Sequence, residues 1–489
     1  MKYVILVALL VFVVLLIIAA VRAEKMKKKI IRRKPAISFT EEEEALYAQR
    51  LSEIVKVPTI TAKQGDERDL TEFRKMQEIM RKQYPLVFSK LEYVDIDGSM
   101  LLRWPGKDPN KLGILLMGHQ DVVPAEETDW KYDPFSGEIE GGCVHGRGAM
   151  DCKCTVMCEF SAIEELLAEG FEPECDVYLA SSVDEELGGF GADATVAYLK
   201  EKGIRLAAVM DEGGAIVTNQ LPGLSAPCAS IGVVEKGTTH VKVIAHGDGG
   251  HSSTPPANTP IVRLSRFVTE VEKKKPFKKH MIEVVSRMFE DAAPYMTFPM
   301  RLIMGNLWLF KPLMMVVLPK VSKFGEAFLS TTCAFTMSGG SSAPNVLPDE
   351  AYVVCNLRPA VHQNREESIE VIKKYAKKHN LIVEIPPGHS ASNITNIDGK
   401  EFQFLKQCLN KAYPDCVVIP YYMTGGTDSR KYEAVCKNVL RFCPVRMTNQ
   451  QLAAMHAANE NIGMSAIADG VKFYKYYVQQ RAGADYKAK

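Results

Sequence analysis

An α/β fold with a central, mostly parallel sheet, interrupted by an inserted α+β domain, is what the sequence predicts, and three observations predict it. Short apolar runs alternate with amphipathic segments after Gln83; three of those runs end in acids or histidine; and near Glu235 the pattern turns to period two. Leu112–Met117 leads to His119 and Asp121, Asp176–Val183 to Asp184, Glu185 and Glu186, and Leu206–Met210 to Asp211. In open α/β sheets ligands bind outside the carboxyl ends of the strands, so these three ends predict one shared site.

The composition sets the frame for that reading. A chain of 489 residues, 46% hydrophobic and 24% charged, can bury a large core and hold more than one domain. Its 60 Lys and Arg nearly balance its 59 Asp and Glu, so no global field recruits nucleic acid, and nucleic acid is not an expected partner. Twelve cysteines at irregular spacings do not read as a disulfide framework.

Taken in order, the chain begins with Tyr3–Val21, which carries no charge and is long enough to cross the ~30 Å hydrocarbon layer as a helix. Residues 1–23 are therefore read as a membrane anchor. A cleaved signal segment is the alternative, because Val21 and Ala23 suit a small-residue cleavage site. Arg22, Lys25, Lys27, Lys28, Lys29, Arg32, Arg33 and Lys34 make a basic linker over 24–40. By the positive-inside rule the body is then expected in the cytoplasm; signal cleavage would make it secreted or luminal. Glu41 to Gln83 is helical in pattern, and Gly146-Arg-Gly-Ala-Met-Asp151 precedes a helix whose Met157, Phe160, Ile163 and Leu167 keep 3/4 spacing up to Gly170. Thr239-His-Val-Lys-Val-Ile-Ala and Ala351–Leu357 alternate as strands of a second sheet. Residues 41–234 and 389–485 are read as one split domain, and 235–388 as the insertion. Met296–Pro319 is apolar but too interrupted to span a bilayer; it is expected as core of the insertion or as an apolar wall near the site.

His119, Asp151, Glu186, Asp211 and His456 are imidazoles and carboxylates without thiolate, the ligand set of a hydrolytic zinc site. Five ligands suggest two ions, since one carboxylate can bridge metals ~3.5–4 Å apart. Cys152, Cys154 and Cys158 lack a second cysteine pair at zinc spacing and are read as buried thiols.

Met117-Gly-His-Gln-Asp-Val-Val-Pro124, Gly146-Arg-Gly-Ala-Met-Asp151, Asp184-Glu-Glu-Leu-Gly-Gly189, Gly249-Gly-His-Ser-Ser253 and Gly425-Gly-Thr-Asp428 follow one another in an order that resembles the M20 metallopeptidase family, the aminoacylase and carboxypeptidase family of zinc exopeptidases. Within it the likeness is to the carboxypeptidase S and N-fatty-acyl-amino-acid synthase/hydrolase branch. The resemblance covers about residues 45–480 and implies a zinc-exopeptidase catalytic domain carrying a lid and dimerisation domain, hence a homodimer. It implies that Asp151 bridges two zinc ions, that His119 and Asp211 complete one, and that Glu186 and His456 complete the other. Asp121 would orient His119, a role expected beside a ligating imidazole. Glu185 would be the general base, His251 would reach the oxyanion, and Asn345, Arg358 and Gly426 would hold the substrate carboxylate. Arg358 suits that task because its guanidinium pairs with a carboxylate by two prongs. Cys152 and Cys154 depart from the family pattern without removing a ligand.

The expected activity is hydrolysis of a short peptide or N-acyl amino acid at an amide next to a free carboxylate, reversible toward synthesis. The other class weighed is a catalytically silent, membrane-tethered receptor or scaffold. The intact Glu185 and ligand set speak against it.

Overall fold

Gly113–His119 is buried at every residue, which requires cover on both faces and puts it at the middle of a sheet. The computed structural model, which describes residues 2–30, 33–61, 69–126 and 128–486, sets it between Val177–Ser182 and Leu206–Asp211, parallel to both. From one edge the order runs Glu92–Ile96, Ser99–Trp104, Val177–Ser182, Gly113–His119, Leu206–Asp211, Val439–Arg441 and Cys228–Glu235. Val417–Met423 joins Cys228–Glu235 in parallel, and antiparallel pairing is found toward the two edges. The centre is therefore parallel, and the three predicted strand ends open on the same side.

Helices close both faces. Lys153–Ala168, buried along almost its whole length, packs between the sheet and Met464–Ala482. Glu41–Val55 starts at a capping box in which the Glu43 N–H donates to Thr40 Oγ1 at 3.2 Å and the Thr40 N–H to Glu43 Oε2 at 2.9 Å. Truncating a central side chain such as Leu116 to Ala costs about 2–5 kcal/mol, because its neighbours cannot collapse into the gap.

A second, antiparallel sheet runs Thr332–Gly339, Glu350–Arg358, Thr238–His246 and Ile382–Glu384. Val241, Val243, Phe267, Cys355, Ile369 and Ile372 give it a core of its own. The span 235–388 divides between two cores. Residues from Met281 to Leu329 pack into the large first core instead, with Glu283–Ala292 lying on Val417–Met423. The reason is steric. The buried face of the second sheet is already covered by Pro260–Lys274 and Arg365–Lys378, so the stripe Val284, Val285, Met288 and Phe289 must find another apolar face.

Met296–Pro319 also differs from expectation. It forms two helices, Phe298–Met304 and Leu307–Val321, bent by 100° at the break between them. Met304, Leu307, Met314 and Leu318 are buried, Trp308, Leu313 and Val316 are exposed, and none of the segment lines the cavity beside the strand ends that carry Asp184–Glu186 and Asp211. The reading as a wall of the site is overturned.

Lys2–Lys25 is one helix with a mean hydropathy of 3.7 over its best window, long and apolar enough to cross a membrane or to serve as a signal sequence. Its apolar side chains from Tyr3 to Val14 are exposed, while Ala19 and Ala23 are seated on the body. Arg32 of the basic run lies outside the described residues. All twelve cysteines are unpaired.

Candidate metal centre

The parallel strand ends bring the predicted ligands together. His119 closes its strand with its side chain only 2% exposed. Its Nδ1 lies 2.9 Å from the Asp121 carbonyl oxygen and 3.3 Å from Asp121 Oδ1. Both are acceptors, so Nδ1 carries a proton, and Nε2 is the nitrogen that faces inward. There Nε2 meets Asp151 Oδ1 at 3.1 Å and Glu212 Oε1 at 3.3 Å. Either a proton or a metal cation at Nε2 satisfies all three groups, and the imidazole and carboxylate donors are of the kind that hold a divalent ion.

The other oxygen of Asp151 turns the opposite way. Asp151 Oδ2 is 2.9 Å from His456 Nε2, and Glu186 Oε1 is 3.3 Å from the same nitrogen. Asp151 thus offers one oxygen to each of two His-and-acid groups, within each of which the ligand atoms lie less than 4.8 Å apart. Burial and the Asp151 charge push Glu212 up to about 8, a crowding of acids that bound cations relieve.

Asp211 is the exception among the five predicted ligands. Its Oδ1 accepts the Glu212 N–H at 2.8 Å and its Oδ2 the Ser429 N–H at 3.0 Å, so each oxygen is turned to a backbone donor. It stands outside the cluster, and Glu212, one residue further on, takes its place. The strand ending at Asp211 explains this. Successive side chains of extended chain point to opposite faces, so only one of two neighbouring acids can face His119.

The positioning is done by buried hydrogen bonds. Asp121 accepts the Glu185 N–H and the Glu186 N–H, each at 3.1 Å, and the Thr61 hydroxyl at 2.6 Å. One carboxylate therefore holds His119 and also the backbone of both following acids. Gly188 and Gly189, at φ 117° and 69°, turn the chain away after them, and a Cβ at residue 189 would run into the Asp428 carboxylate. Glu460 accepts the Met150 N–H at 2.8 Å and the Asp151 N–H at 3.1 Å, and is itself paired with buried Arg147 at 2.9 Å. Cys152 Sγ accepts the His119 N–H at 3.0 Å, and burial pushes its thiol above the ordinary range. In the loop after Val417–Met423, Glu235 accepts the Thr427 N–H at 3.1 Å and pairs with buried Arg441, while Ser182 donates to Asp428 at 2.7 Å.

Asp151, Glu186, Glu212 and His456 border a cavity of about 680 Å³. Glu185, half-buried on its wall, approaches His119 and Glu186; burial pushes its carboxyl up, against the pull of His119. Arg358 and Gly426 line the same cavity, and Arg358 donates to Thr238 Oγ1 at 2.7 Å. His251 and Asn345 do not. His251 is exposed on a two-stranded ribbon, Gly250–His251 against Val346–Leu347, with Nδ1 2.8 Å from Ser253 Oγ. The sequence reading did not single out Glu212, Arg147, Glu460, or the cavity residues His240, His389 and Arg430. Glu212 was signalled by the acid pair at the strand end, and Arg147 by its place between two glycines; the others carry no local signal.

Comparisons with known proteins give the family of the chain. Peptidase family M20/M25/M40 matches residues 115–480. A probable carboxypeptidase S-like 2 of Dictyostelium discoideum is 32% identical over 90% of this chain and 86% of the relative. The N-fatty-acyl-amino acid synthase/hydrolase PM20D1 of Xenopus tropicalis is 30% identical over the same shares, 90% and 86%. An M20 family metallo-carboxypeptidase from Sulfolobus solfataricus superposes with a TM-score of 0.65 at 21% identity, covering 88% of this chain and 98% of the other, a likeness of fold.

Proposed function

Because the chain belongs to peptidase family M20/M25/M40 and is a hydrolase of the metallopeptidase and amidohydrolase kind, we propose that it uses two zinc ions per subunit to cleave an amide next to a free carboxylate. The observation that carries the reading is the two-sided approach of Asp151, 3.1 Å from one imidazole and 2.9 Å from the other. His119, Asp151 and Glu212 would hold one ion, and Asp151, Glu186 and His456 the second. When bound, such a pair polarises the scissile carbonyl and lowers the pKa of water.

The chain's own residues do the rest. Asp121 fixes the Nδ1–H tautomer of His119 and ties down the backbone of Glu185 and Glu186. Glu185, the acid left over once Glu186 is engaged, takes a proton from the attacking water and delivers it to the departing nitrogen. Arg358 offers its fork to the substrate carboxylate, and Gly426 leaves room for it on the same wall. Arg430 supplies a further cation along that wall.

Substrates are short peptides or N-acyl amino acids, as the names of the two relatives suggest, and the same groups serve the reverse, synthetic direction. The second sheet acts as a lid and dimerisation unit. His251 and Asn345, outside their own cavity, reach the site of a second copy in a homodimer. Lys2–Lys25 anchors the chain in a membrane with the basic linker on the cytoplasmic side, or is removed as a signal segment. The test is zinc content together with turnover of a panel of acyl and dipeptidyl amino acids with free or amidated carboxylates. About two zinc per subunit and cleavage confined to free carboxylates is the expected result. Bound zinc with no turnover of any substrate would overturn it.

A further inference from the structure

We propose that the bent helix pair Phe298–Met304 and Leu307–Val321 is a second membrane contact, lying in the interfacial layer of the leaflet that Lys2–Lys25 leaves, and that it brings lipid-dissolved substrates to the catalytic cavity. The proposal rests on the reading of Lys2–Lys25 as an anchor.

Three observations support it. The first is where the anchor meets the body. Asn306, at the break of the pair, donates its Nδ2–H to the Ala19 carbonyl at 3.1 Å, and Arg301 lies 3.5 Å from Glu24. Met26 packs so closely on Gly305 that a Cβ there would collide with it. The base of the anchor is thus bolted to the junction of the two helices, and a bilayer around the anchor must pass beside them.

The second is the surface they offer. Trp308 is 49% exposed, Val316 57%, Val321 72% and Phe324 54%, an apolar face with nothing on it among the described residues. The bend of 100° rules out a straight span, and Pro312 and Pro319 stand inside the second helix. A helix of this kind with tryptophan on its apolar face suits the headgroup boundary, where amphipathic rings are favoured. No acid occurs between Asp291 and Glu326 or between Glu24 and Glu41, while Lys311, Lys320 and the basic linker lie in those stretches. That charge complements anionic headgroups.

The third is the path inward. The Phe324 and Phe328 rings stack at 6.2 Å, Phe328 meets Tyr421 edge-on at 5.9 Å, and Tyr421 lines the catalytic cavity. Exposed Phe324 and buried Phe328 thus form one contiguous aromatic run with Tyr421, from the proposed contact to the cavity wall.

The full chain, reconstituted in phosphatidylcholine vesicles with phosphatidylserine, tests this by brominated-lipid quenching of tryptophan emission. Wild type should be quenched and a Trp308→Phe variant should not. Resistance to alkaline extraction reports the anchor separately. Extraction-resistant protein without Trp308 quenching overturns the second contact and leaves the anchor standing; extracted protein without quenching overturns both. Trp308→Glu, Val316→Glu should lose at least tenfold in kcat/KM for an oleoyl amino acid in vesicles while keeping its rate on the water-soluble acetyl form, which also shows that it folds. Equal loss on both substrates, or loss on neither, overturns the delivery role.

Discussion

The two imidazoles that face Asp151 are built in opposite ways. His119 ends a central strand, is 2% exposed, and has its ring, its backbone N–H and its partner Asp121 all held by buried groups. His456 belongs to a loop between Asn449–Ala454 and Asn461–Gly463, has φ 59°, and is 50% exposed. The sheet makes a rigid half-site without effort, because every strand end points the same way. The loop half needs Glu460 and Arg147, buried beneath it, to fix Asp151 from below. One carboxylate is thus shared between a closed, preformed pocket and an open, adjustable one, the arrangement expected of a centre that must keep its ions and still admit a substrate.

The largest effect on this comparison is expected at the shared residue. Asp151→Ala should empty both half-sites, with zinc near zero and no measurable turnover. Retention of one zinc would mean that one half holds its ion without Asp151. Next is Glu185→Gln, which keeps shape but removes the base. Turnover should fall about 10²–10⁴-fold with zinc unchanged, and loss of zinc would make Glu185 a ligand instead.

How much of this the sequence disclosed follows the strand ends. The runs ending at His119 and Glu186, one in each half-site, announce strands whose ends converge, and the helix after Asp151 is plain from its 3/4 spacing. One residue of register was not. Asp211 and Glu212 are both acids, and which one faces His119 depends on how the strand end is turned, fixed by the Ser429 N–H from a loop more than two hundred residues away in sequence. The same holds for Arg147 with Glu460 and Glu235 with Arg441, pairs whose partners are far apart along the chain and leave no periodic trace. The helix Glu283–Ala292 shows the limit for domains, because its apolar stripe is obvious while the face it covers is decided by which surfaces are already taken.

That register can be tested directly. Glu212→Gln should cost about one zinc per subunit, whereas Asp211→Asn should leave zinc content nearly unchanged, because Asp211 accepts backbone hydrogens. The opposite pattern in metal analysis would restore Asp211 as the ligand. A smaller effect is expected at the substrate end. Arg358→Lys keeps the charge but loses the planar fork, and a lost charged hydrogen bond of about 1.5–3 kcal/mol raises KM roughly 10–100-fold. Free-carboxylate substrates should show this and amidated ones should not; an equal change on both would assign Arg358 to the fold.

The smallest expected effect removes nothing and only times what leaves. A chelator reaches an ion through its exposed ligands, and of the two imidazoles only His456 is open to solvent. Zinc release to a coloured chelator should therefore run in two phases of equal size, the fast one from the half-site of Glu186 and His456 and the slow one from that of His119 and Glu212. His456→Ala should abolish the fast phase and leave the slow one, since Asp121 and Cys152 still hold His119 from behind. Stopped-flow absorbance decides it. One phase in the wild type, or loss of the slow phase in the variant, would mean that the two ions leave as a unit through the Asp151 bridge, and the contrast between a closed and an open half would then describe the protein without describing its metals.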